Sequence, residues 1–480
     1  MTTVGNGSPA LTSRRGLAVL LVVLGAQFMV IVDETVVNVA LPSVQRDLGL
    51  SQAQLTWVVN AYLLFFGGFL MLSGRMADVF GRRRVFLGGL VVFTAASVVA
   101  GFADGRLLLI AMRALQGLGG AMLSPAALSI LTTTFRAPRE RRLALAAWAG
   151  LLGLGATVGV LLGGVIVEYL SWHWIFWVNG PVGVVVLVIC LSLIPATVPQ
   201  ERGGLDLPGA VLITAAGMLL VFTVVRVDEQ GWGSRPTLLG LAGVALLGAG
   251  FGLRQRSAAQ PLVPRYAVAR RSAVAYPLAV LVASALFAMF FFLTLYMQVV
   301  QGWSALQTGM AWAPQGATVA VTSGLAVRLM PVLGARTLTT TGLLIAAAAQ
   351  LLLLRTTLDG SYPAQVLPAL VVNAVGLGLA LVPLAVVAVH GLADRDQGIA
   401  SGLLSASQQL GGAVGMAVLV SVALSTFHHE VAGGTAVPAA TLQAFHVGYL
   451  ASTVLLVIAA AAALLLPPLH ERVDLGALAG

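Results

Sequence analysis

Three charged side chains lie inside stretches of this sequence that are otherwise apolar. Asp33 and Glu34 interrupt the apolar run 17–41, and Arg113 interrupts the run 107–128. An ionised group at membrane depth costs several kcal/mol unless it is paired or faces water. Acidic and basic side chains kept at such a cost indicate a function. The chemistry open to them is the movement of protons, ions or charged solutes across a membrane.

Asp33 and Arg113 are predicted to lie at similar depth. At about 1.5 Å per residue, Asp33 lies roughly 12 Å inward of Leu41 and Arg113 roughly 9 Å inward of Leu107. Low dielectric disfavours the charge of an acid, and a nearby guanidinium favours it. Movement of Arg113 toward or away from Asp33 would therefore switch the proton affinity of the acid. Glu34, about 100° further around the helix, is the alternative acid, and a static ion pair that only fixes helix packing is the alternative interpretation.

The composition is that of a polytopic membrane protein. Hydrophobic residues make up 59% of the 480 residues and charged residues 9%, and the mean hydropathy is +0.97. A soluble chain averages roughly 25% charged residues. Apolar stretches of about 20 residues, long enough to cross ~30 Å of hydrocarbon, recur along the chain. Cys190 is the only cysteine, which excludes an intramolecular disulfide framework.

Apolar runs bounded by charges, glycine or proline predict fourteen membrane spans. The spans are 17–41, 55–72, 85–101, 106–130, 143–167, 175–194, 207–225, 236–253, 272–298, 306–329, 337–354, 363–388, 399–425 and 444–467. The first is too long for the core of a signal peptide and lacks a cleavage pattern, so it is predicted to be a retained helix.

Arginine accounts for all 26 basic residues and is distributed unevenly about these spans. With the N-terminus inside, twenty arginines fall in inner segments and five in outer segments, while Arg113 is intramembrane. Because basic residues accumulate on the cytoplasmic side, we expect both termini in the cytoplasm of a bacterial cell whose inner membrane the chain crosses repeatedly. The net charge of +9 is then explained by contact with anionic lipid rather than by nucleic acid.

The inner segment between spans two and three, GRMADVFGRRR, has an informative spacing. Gly74 and Gly81 permit close helix approach and a tight turn, and Asp78 can cap a helix or pair with arginine. The arginines, among them Arg82 and Arg83, can anchor the segment to the inner leaflet. This spacing resembles the signature loop of the major facilitator superfamily.

Three further stretches narrow that resemblance to the fourteen-helix drug:proton antiporters. Residues 33–42, DETVVNVALP, resemble the first-helix motif of these antiporters. Residues 113–120, RALQGLGG, resemble the fourth-helix motif of the superfamily, whose arginine is linked to proton transfer. The glycines of span five resemble the antiporter motif and lie at Gly155, Gly159, Gly163 and Gly164.

Two positions depart from the family pattern. Val160 replaces the proline that usually follows the second of those glycines, which removes a cause of helix bending. His173 replaces the arginine usual between Trp172 and Trp174, and we expect it at the outer surface in a structural role.

The resemblance covers essentially the whole chain and implies an all-α major facilitator fold. It predicts two six-helix halves, 1–200 and 257–480, and two additional central helices within 201–256. Supporting an internal duplication, the segment between spans ten and eleven contains a degenerate copy of the inner loop, at Gly324, Arg328, Gly334 and Arg336. The additional pair holds no intramembrane charge and is expected to be peripheral.

The implied function is proton-coupled export of hydrophobic or amphipathic drugs by alternating access. Such repeats place the substrate site between the halves, near the bilayer midplane. Sparse polar groups among apolar and aromatic side chains predict a pocket for amphipathic molecules, neutral or monocationic because acids are few. Candidate lining residues are Asn38, Gln116, Phe291, Gln298, Trp312, Gln315 and Gln408. The alternative is a proton-coupled carrier, symporter or exporter, of a specific metabolite on the same fold.

A membrane enzyme or a receptor fits the sequence poorly. It contains no Gly-Lys-Ser/Thr phosphate loop, no His-Glu-x-x-His metal motif and no sizeable soluble domain. We therefore expect neither a cofactor nor a metal, and the proton gradient is the expected energy source. Neither nucleic acid nor an obligate protein partner is implied.

Overall fold

The computed structural model describes residues 13–135, 138–193, 205–268, 271–392 and 394–470 and is helical in these ranges. The long helices are α1 (Arg14–Leu48), α2 (Gln52–Phe80), α3 (Arg82–Ala100), α4 (Arg106–Thr134), α5 (Pro138–Tyr169), α6 (Asn179–Leu193), α7 (Leu207–Val225), α8 (Arg235–Ser257), α9 (Ala275–Leu295), α10 (Ala305–Leu353), α11 (Leu367–Val389), α12 (Asp394–Ala432) and α13 (Val437–Ala463). Shorter helical turns are Trp174–Trp177, Val227–Gln230, Arg265–Val268, Arg271–Val274 and the π-helical segments Tyr296–Val300 and Tyr362–Val366. Within the described ranges, twelve helices are long and apolar enough to cross a membrane by length and composition.

Polar caps extend several helices beyond their predicted apolar spans. Ser51 begins α2 with a capping box, since its side chain accepts a hydrogen bond from the backbone of Gln54, whose own side chain bonds back to Ser51. α2 therefore spans Gln52–Phe80, whereas apolarity alone predicts 55–72. This helix begins before the apolar stretch because hydrogen bonding, not hydropathy, determines its first residue.

Two glycines with positive φ mark equivalent turns in the two parts of the chain. Gly81, at φ 92°, separates α2 from α3. Gly334, at φ 77°, breaks the 49-residue α10 into two segments that correspond to predicted spans ten and eleven. Both values lie in the region that glycine adopts without a side-chain clash. The matching turns support the internal duplication.

The helices form two groups that meet along two seams. In the N-terminal group, α1–α6, helix α1 packs on α4, α5 and α6, and α2 packs on α3 and α4. In the C-terminal group, α9–α13, helix α9 packs on α12 and α13, and α10 packs on α11 and α13. The groups meet where α2 packs on α12 and where α5 packs on α10.

Helices α7 and α8 join the two groups along the chain but differ in their surroundings. α8 packs on α7, and Thr237 is its only buried residue. α7 packs on α8 and also on both α2 and α12. The peripheral position expected for the pair therefore describes α8, whereas α7 lies over a seam between the groups. The proposed boundary at residue 200 falls outside the described residues.

The two ends of the bundle differ in charge. We call the end that carries Arg82–Arg84, Arg254 and Arg328 the basic face, and the other end, with the turns at Gly49 and Gly101, the opposite face. α1 runs from the basic face to the opposite face, and α2 returns.

Candidate functional site

Asp33 of α1 and Arg113 of α4 form an ion pair inside the N-terminal group. Arg113 Nη1 lies 2.5 Å from Asp33 Oδ2, and both side chains are almost fully buried. Replacing water around two charges is costly, so such a pair persists only where further hydrogen bonds satisfy the remaining polar atoms. Asp33 and Arg113, which the sequence predicted to lie at similar depth, are thus in direct contact.

Two amides complete the surroundings of the Asp33 carboxylate. Gln116 Nε2 donates to Asp33 Oδ1 at 2.9 Å, and Asn179 Nδ2 donates to the same oxygen at 3.2 Å. Asn179 also donates to Ser97 Oγ at 2.9 Å, and this hydroxyl donates to the carbonyl of Phe176. The carboxylate therefore accepts hydrogen bonds from three side chains on two other helices, α4 and α6.

Arg113 is fixed independently of the acid. Its Nε donates to the carbonyl of Val58 at 3.0 Å, and its Nη1 donates to Gln116 Oε1 at 3.1 Å. The guanidinium carbon lies 4.4 Å from the ring centroid of Tyr62, a distance at which cation–π attraction operates. A planar guanidinium can satisfy these partners together, whereas a lysine ammonium lacks the required geometry.

Glu34 faces a different part of the molecule. It is half-buried, and its carboxylate interacts with the side-chain amide of Gln409 on α12, in the C-terminal group. Gln409 in turn packs over Gly67 of α2, where an added Cβ would lie 2.9 Å from the Gln409 Cβ. Glu34 therefore lies at the seam between the groups, and Asp33 lies inside one of them.

The glycines of α5 hold this helix against the acid-bearing segment of α1. A Cβ at Gly159 would lie 3.1 Å from Val32 Cα, and one at Gly163 would lie 3.1 Å from Val36 Cα. Gly155 faces Ile31, one turn away. Gly164 faces the backbone of Leu306 at the start of α10. The motif thus packs α5 on α1 through three glycines and on the other group through the fourth.

The predicted lining residues lie in several environments. Gln298 donates to the carbonyl of Val39 at 3.0 Å and so joins α1 to the π-helical segment after α9. Trp312 packs edge-on against Phe290, with ring centroids 4.4 Å apart. Gln315 and Gln408 are half-buried.

The remaining three lining candidates are buried. Gln116 belongs to the Asp33 network. Asn38 donates to the carbonyl of Glu34 at 3.0 Å. Phe291 lies against Phe292 and is fully buried. A role in substrate binding stays a prediction for all seven.

The loop motif lies at the basic face. Gly81 makes the turn, and Arg83 donates to the carbonyl of Leu191 at 2.8 Å. Gly74 is in ordinary contact with Pro125 of α4. Arg82 begins α3. The side chain of Asp78 is outside the described residues.

Sequence reasoning assigned no role to three residues of these sites. Asn179, Tyr62 and Gln409 complete contacts of Asp33, Arg113 and Glu34 respectively. Each is a polar or aromatic residue within a predicted span, which is the signal that could have identified it. His173 lies near the opposite face, stacked on Trp172 with ring centroids 3.8 Å apart.

Comparison with protein families accounts for this arrangement. The family model described as Major Facilitator Superfamily matches residues 23–416. The chain belongs to the Major Facilitator Superfamily. It is therefore a multi-pass membrane protein of a family of transporters, not an enzyme.

Members of the superfamily with high similarity include drug-resistance and export proteins. The chain is 40% identical to the puromycin resistance protein pur8 of Streptomyces alboniger over 458 residues, which cover 91% of this chain and 90% of that protein. It is 42% identical to the cephamycin export protein CmcT of Amycolatopsis lactamdurans, over 88% of each chain.

Solved structures support the fold. A bacterial homologue of the human lysosomal transporter Spinster, in an inward-facing unoccupied conformation, aligns with a TM-score of 0.67 over 95% of this chain and 97% of that chain. The sequence identity is 19%, so this likeness concerns the fold alone. The all-helical superfamily fold expected from the sequence is confirmed.

Proposed function

We propose that this protein is a proton-coupled exporter of hydrophobic or amphipathic drugs that works by alternating access. The observation that carries the proposal is the buried Asp33–Arg113 pair, because an acid whose ion pair can be made or broken is the element that proton coupling needs. The names of pur8 and CmcT, which refer to puromycin resistance and cephamycin export, support antibiotics as the substrate class.

Asp33 is the proposed proton carrier, with Arg113 as the group that controls its affinity. Asp33 is buried and satisfied by three donors, so protonation must be accompanied by a rearrangement of this network. Glu34 is the alternative carrier because it lies at the seam, where movement of the groups changes its surroundings.

Fourteen membrane helices are proposed for the complete arrangement. Support comes from the break at Gly334, which divides α10 into two segments, and from α5, which has 32 residues of mostly apolar sequence. The six-helix halves 1–200 and 257–480 and the insertion 201–256 follow from this count. The conformational motif is the loop of Gly74, Asp78, Gly81, Arg82 and Arg83, with Asp78 proposed to pair across the halves in one state.

The substrate pathway is proposed to run between the groups. Gln298 supports this, since its hydrogen bond to Val39 crosses the seam and must break when the groups separate on the opposite face. Trp312, Gln315 and Gln408 are proposed to line the pathway beside it. The substrate is expected to be neutral or monocationic, because Asp33 and Glu34 are the acids deep within the described membrane helices.

The basic face is proposed to be cytoplasmic in a bacterial inner membrane. Labelling of a cysteine placed at Gly480, in a protein whose Cys190 is replaced by alanine, should occur from the cytoplasmic side alone. Labelling of intact cells from outside would contradict this orientation.

Transport by purified protein in liposomes tests the function. With an imposed pH gradient, acidic inside, the protein should concentrate puromycin inside, and a protonophore should abolish the effect. Asp33→Asn should bind the drug and allow equilibration without accumulation. Asp104→Asn, at an exposed acid, is the control and should behave as wild type.

Three outcomes would count against the proposal. Accumulation by wild type that does not respond to the pH gradient would remove proton coupling. Accumulation of the drug against its concentration gradient by Asp33→Asn would exclude Asp33 as the coupling acid. If puromycin does not move at all, antibiotic export is the part that fails.

A further inference from the structure

Helix α7 contacts both groups, and its two ends contact different ones. It runs from the basic face at Leu207 to the opposite face at Val225. Along this path it packs on α2 of the N-terminal group and on α12 of the C-terminal group. The contacts at each end determine which group α7 stays attached to when the two groups move apart.

The basic half of α7 interlocks with α2. Thr214 lies against Gly68, where an added Cβ would lie 3.0 Å from the Thr214 Cβ. One turn further along α7, the Leu64 side chain lies against Gly217. A Cβ added at Gly217 would lie 2.8 Å from Leu64 Cδ2. Leu72 and Ala210 belong to one buried apolar cluster at the basic end. Three successive contacts in register therefore fix this half of α7 on the N-terminal group.

Polar contacts at the basic face reinforce the same attachment. Asp206 caps α7 and accepts hydrogen bonds from Arg254 Nε and Gln255 Nε2, each at 2.7 Å. Arg75 of α2 donates through Nε to Gln260, which follows α8, at 2.9 Å. At this face, hydrogen bonds therefore connect α7 to α8 and connect the segment after α8 to α2.

The opposite end of α7 lies on the other group. Ser421 Oγ of α12 donates to the carbonyl of Val224 at 3.0 Å, and both residues are buried. The short turn Val227–Gln230 that follows also contacts α12. Val224 lies next to the end of α7, where carbonyl groups lack a complete set of intrahelical partners. This attachment can therefore be made and broken without disturbing the helix.

We propose that α7 is a diagonal brace that stays with α2 and releases α12 when the groups separate on the opposite face. Its hydroxyl-to-carbonyl latch, Ser421–Val224, then favours the state in which the opposite face is closed. This assigns a conformational role to the additional helices and does not rest on proton coupling or drug export.

Distances between the groups on the opposite face test the latch. Spin labels on cysteines that replace Asp104 and Asp359, both exposed on that face, would report its opening in lipid nanodiscs, with Cys190 replaced by alanine. Ser421→Ala should increase the ratio of the long-distance to the short-distance population about two- to tenfold, the effect of one net hydrogen bond. No gradient or substrate is needed.

Ser452→Ala is the matched control for the latch. Ser452 is equally buried, but its hydroxyl bonds to Gly448 within its own helix. It should leave the distance distribution unchanged. If Ser421→Ala gives the distribution of Ser452→Ala, or a single population persists in every variant, the latch does not exist.

A cross-link tests the other attachment. Cβ atoms of cysteines at Gly68 and Thr214 would lie 3.0 Å apart, so the disulfide, which needs ~3.5–4.5 Å between Cβ atoms, forms after a small outward shift of α7 from α2. Because α7 is proposed to move with α2, the oxidised protein should show the same two populations as the reduced protein. Oxidation that removes one population would show that α7 moves against α2 and would overturn the proposal, even if Ser421→Ala cannot be purified.

Discussion

Asp33 and Glu34 are consecutive residues of α1, yet their carboxylates face different parts of the protein. Asp33 points into the N-terminal group and accepts hydrogen bonds from Arg113, Gln116 and Asn179. Glu34 is directed to the seam and interacts with Gln409 of the C-terminal group. A helical step of 100° places them on different faces. One acid is therefore buried within a group, and the other lies where the two groups meet.

The effect of Glu34→Gln should differ from that of Asp33→Asn. Because the Asp33–Arg113 pair stays intact, Glu34→Gln should retain accumulation driven by a pH gradient. It should weaken the binding of a monocationic substrate by up to about tenfold, or 1.4 kcal/mol, and weaken the binding of a neutral substrate less. Transport and equilibrium binding in the same liposomes measure both effects. The reverse pattern, with accumulation lost in Glu34→Gln and kept in Asp33→Asn, would make Glu34 the coupling acid.

Gly159→Ala should impair the protein through packing alone. The added methyl would lie 3.1 Å from Val32 Cα and 3.2 Å from its carbonyl oxygen, and these backbone atoms cannot rotate away. Overpacking of this kind costs about 1–3 kcal/mol. The measurements are the thermal unfolding midpoint and the transport rate, and both should fall. Gly248→Ala, where no atom lies within 4 Å of the new Cβ, is the control. Equal behaviour of the two variants would remove the close contact of α5 and α1 as a requirement.

The Asp206 cap should stabilise the protein in a pH-dependent manner. Burial disfavours its charge, but hydrogen bonds from Arg254, Gln255 and the backbone of Gly209 outweigh burial and hold its pKa below the usual 3.8. The unfolded chain therefore binds this proton more tightly, so the stabilisation is complete above about pH 4 and is lost as the pH falls through the folded pKa.

Asp206→Ala should accordingly lower stability at pH 7 by about 1–3 kcal/mol, because three donors lose their acceptor. The difference from wild type should narrow below about pH 4. Thermal unfolding at the two pH values measures it, with the exposed Asp104→Ala as control. A difference that is the same at both pH values would show that the carboxylate charge is not what stabilises the cap.

The fold was largely predictable because apolar length and arginine position are local properties of the chain. Gly81 and Gly334 illustrate this, since a turn glycine next to arginines marks a helix boundary whatever its surroundings. The pairing of Asp33 with Arg113 was also accessible, because depth follows from counting residues along a helix.

Contacts between distant helices were not predictable in the same way. Asn179 reaches Asp33 because α6 packs on α1, and periodicity along one helix carries no information about its neighbour. The position of α7 across α2 and α12 has the same origin. Likewise, the polarity of Gln116 at membrane depth was visible in the sequence, but its hydrogen bond to Asp33 on another helix was not.

The decisive question for Asp33 and Arg113 is whether the pair couples protons or only fixes helix packing, and a double substitution separates the two. Asp33→Asn or Arg113→Gln alone leaves its partner buried without compensation, which typically costs about 3–5 kcal/mol. The double variant has two neutral amides of similar shape, so its unfolding midpoint should recover toward wild type.

Transport should not recover with stability, because the double variant has no acid to carry the proton. It should bind substrate and equilibrate it across the membrane, but an imposed pH gradient should not drive accumulation. If the pair were only a packing element, the variant that restores stability would restore accumulation as well. Unfolding midpoints and pH-driven uptake, measured on the two single variants and the double variant, therefore give opposite results for the two roles.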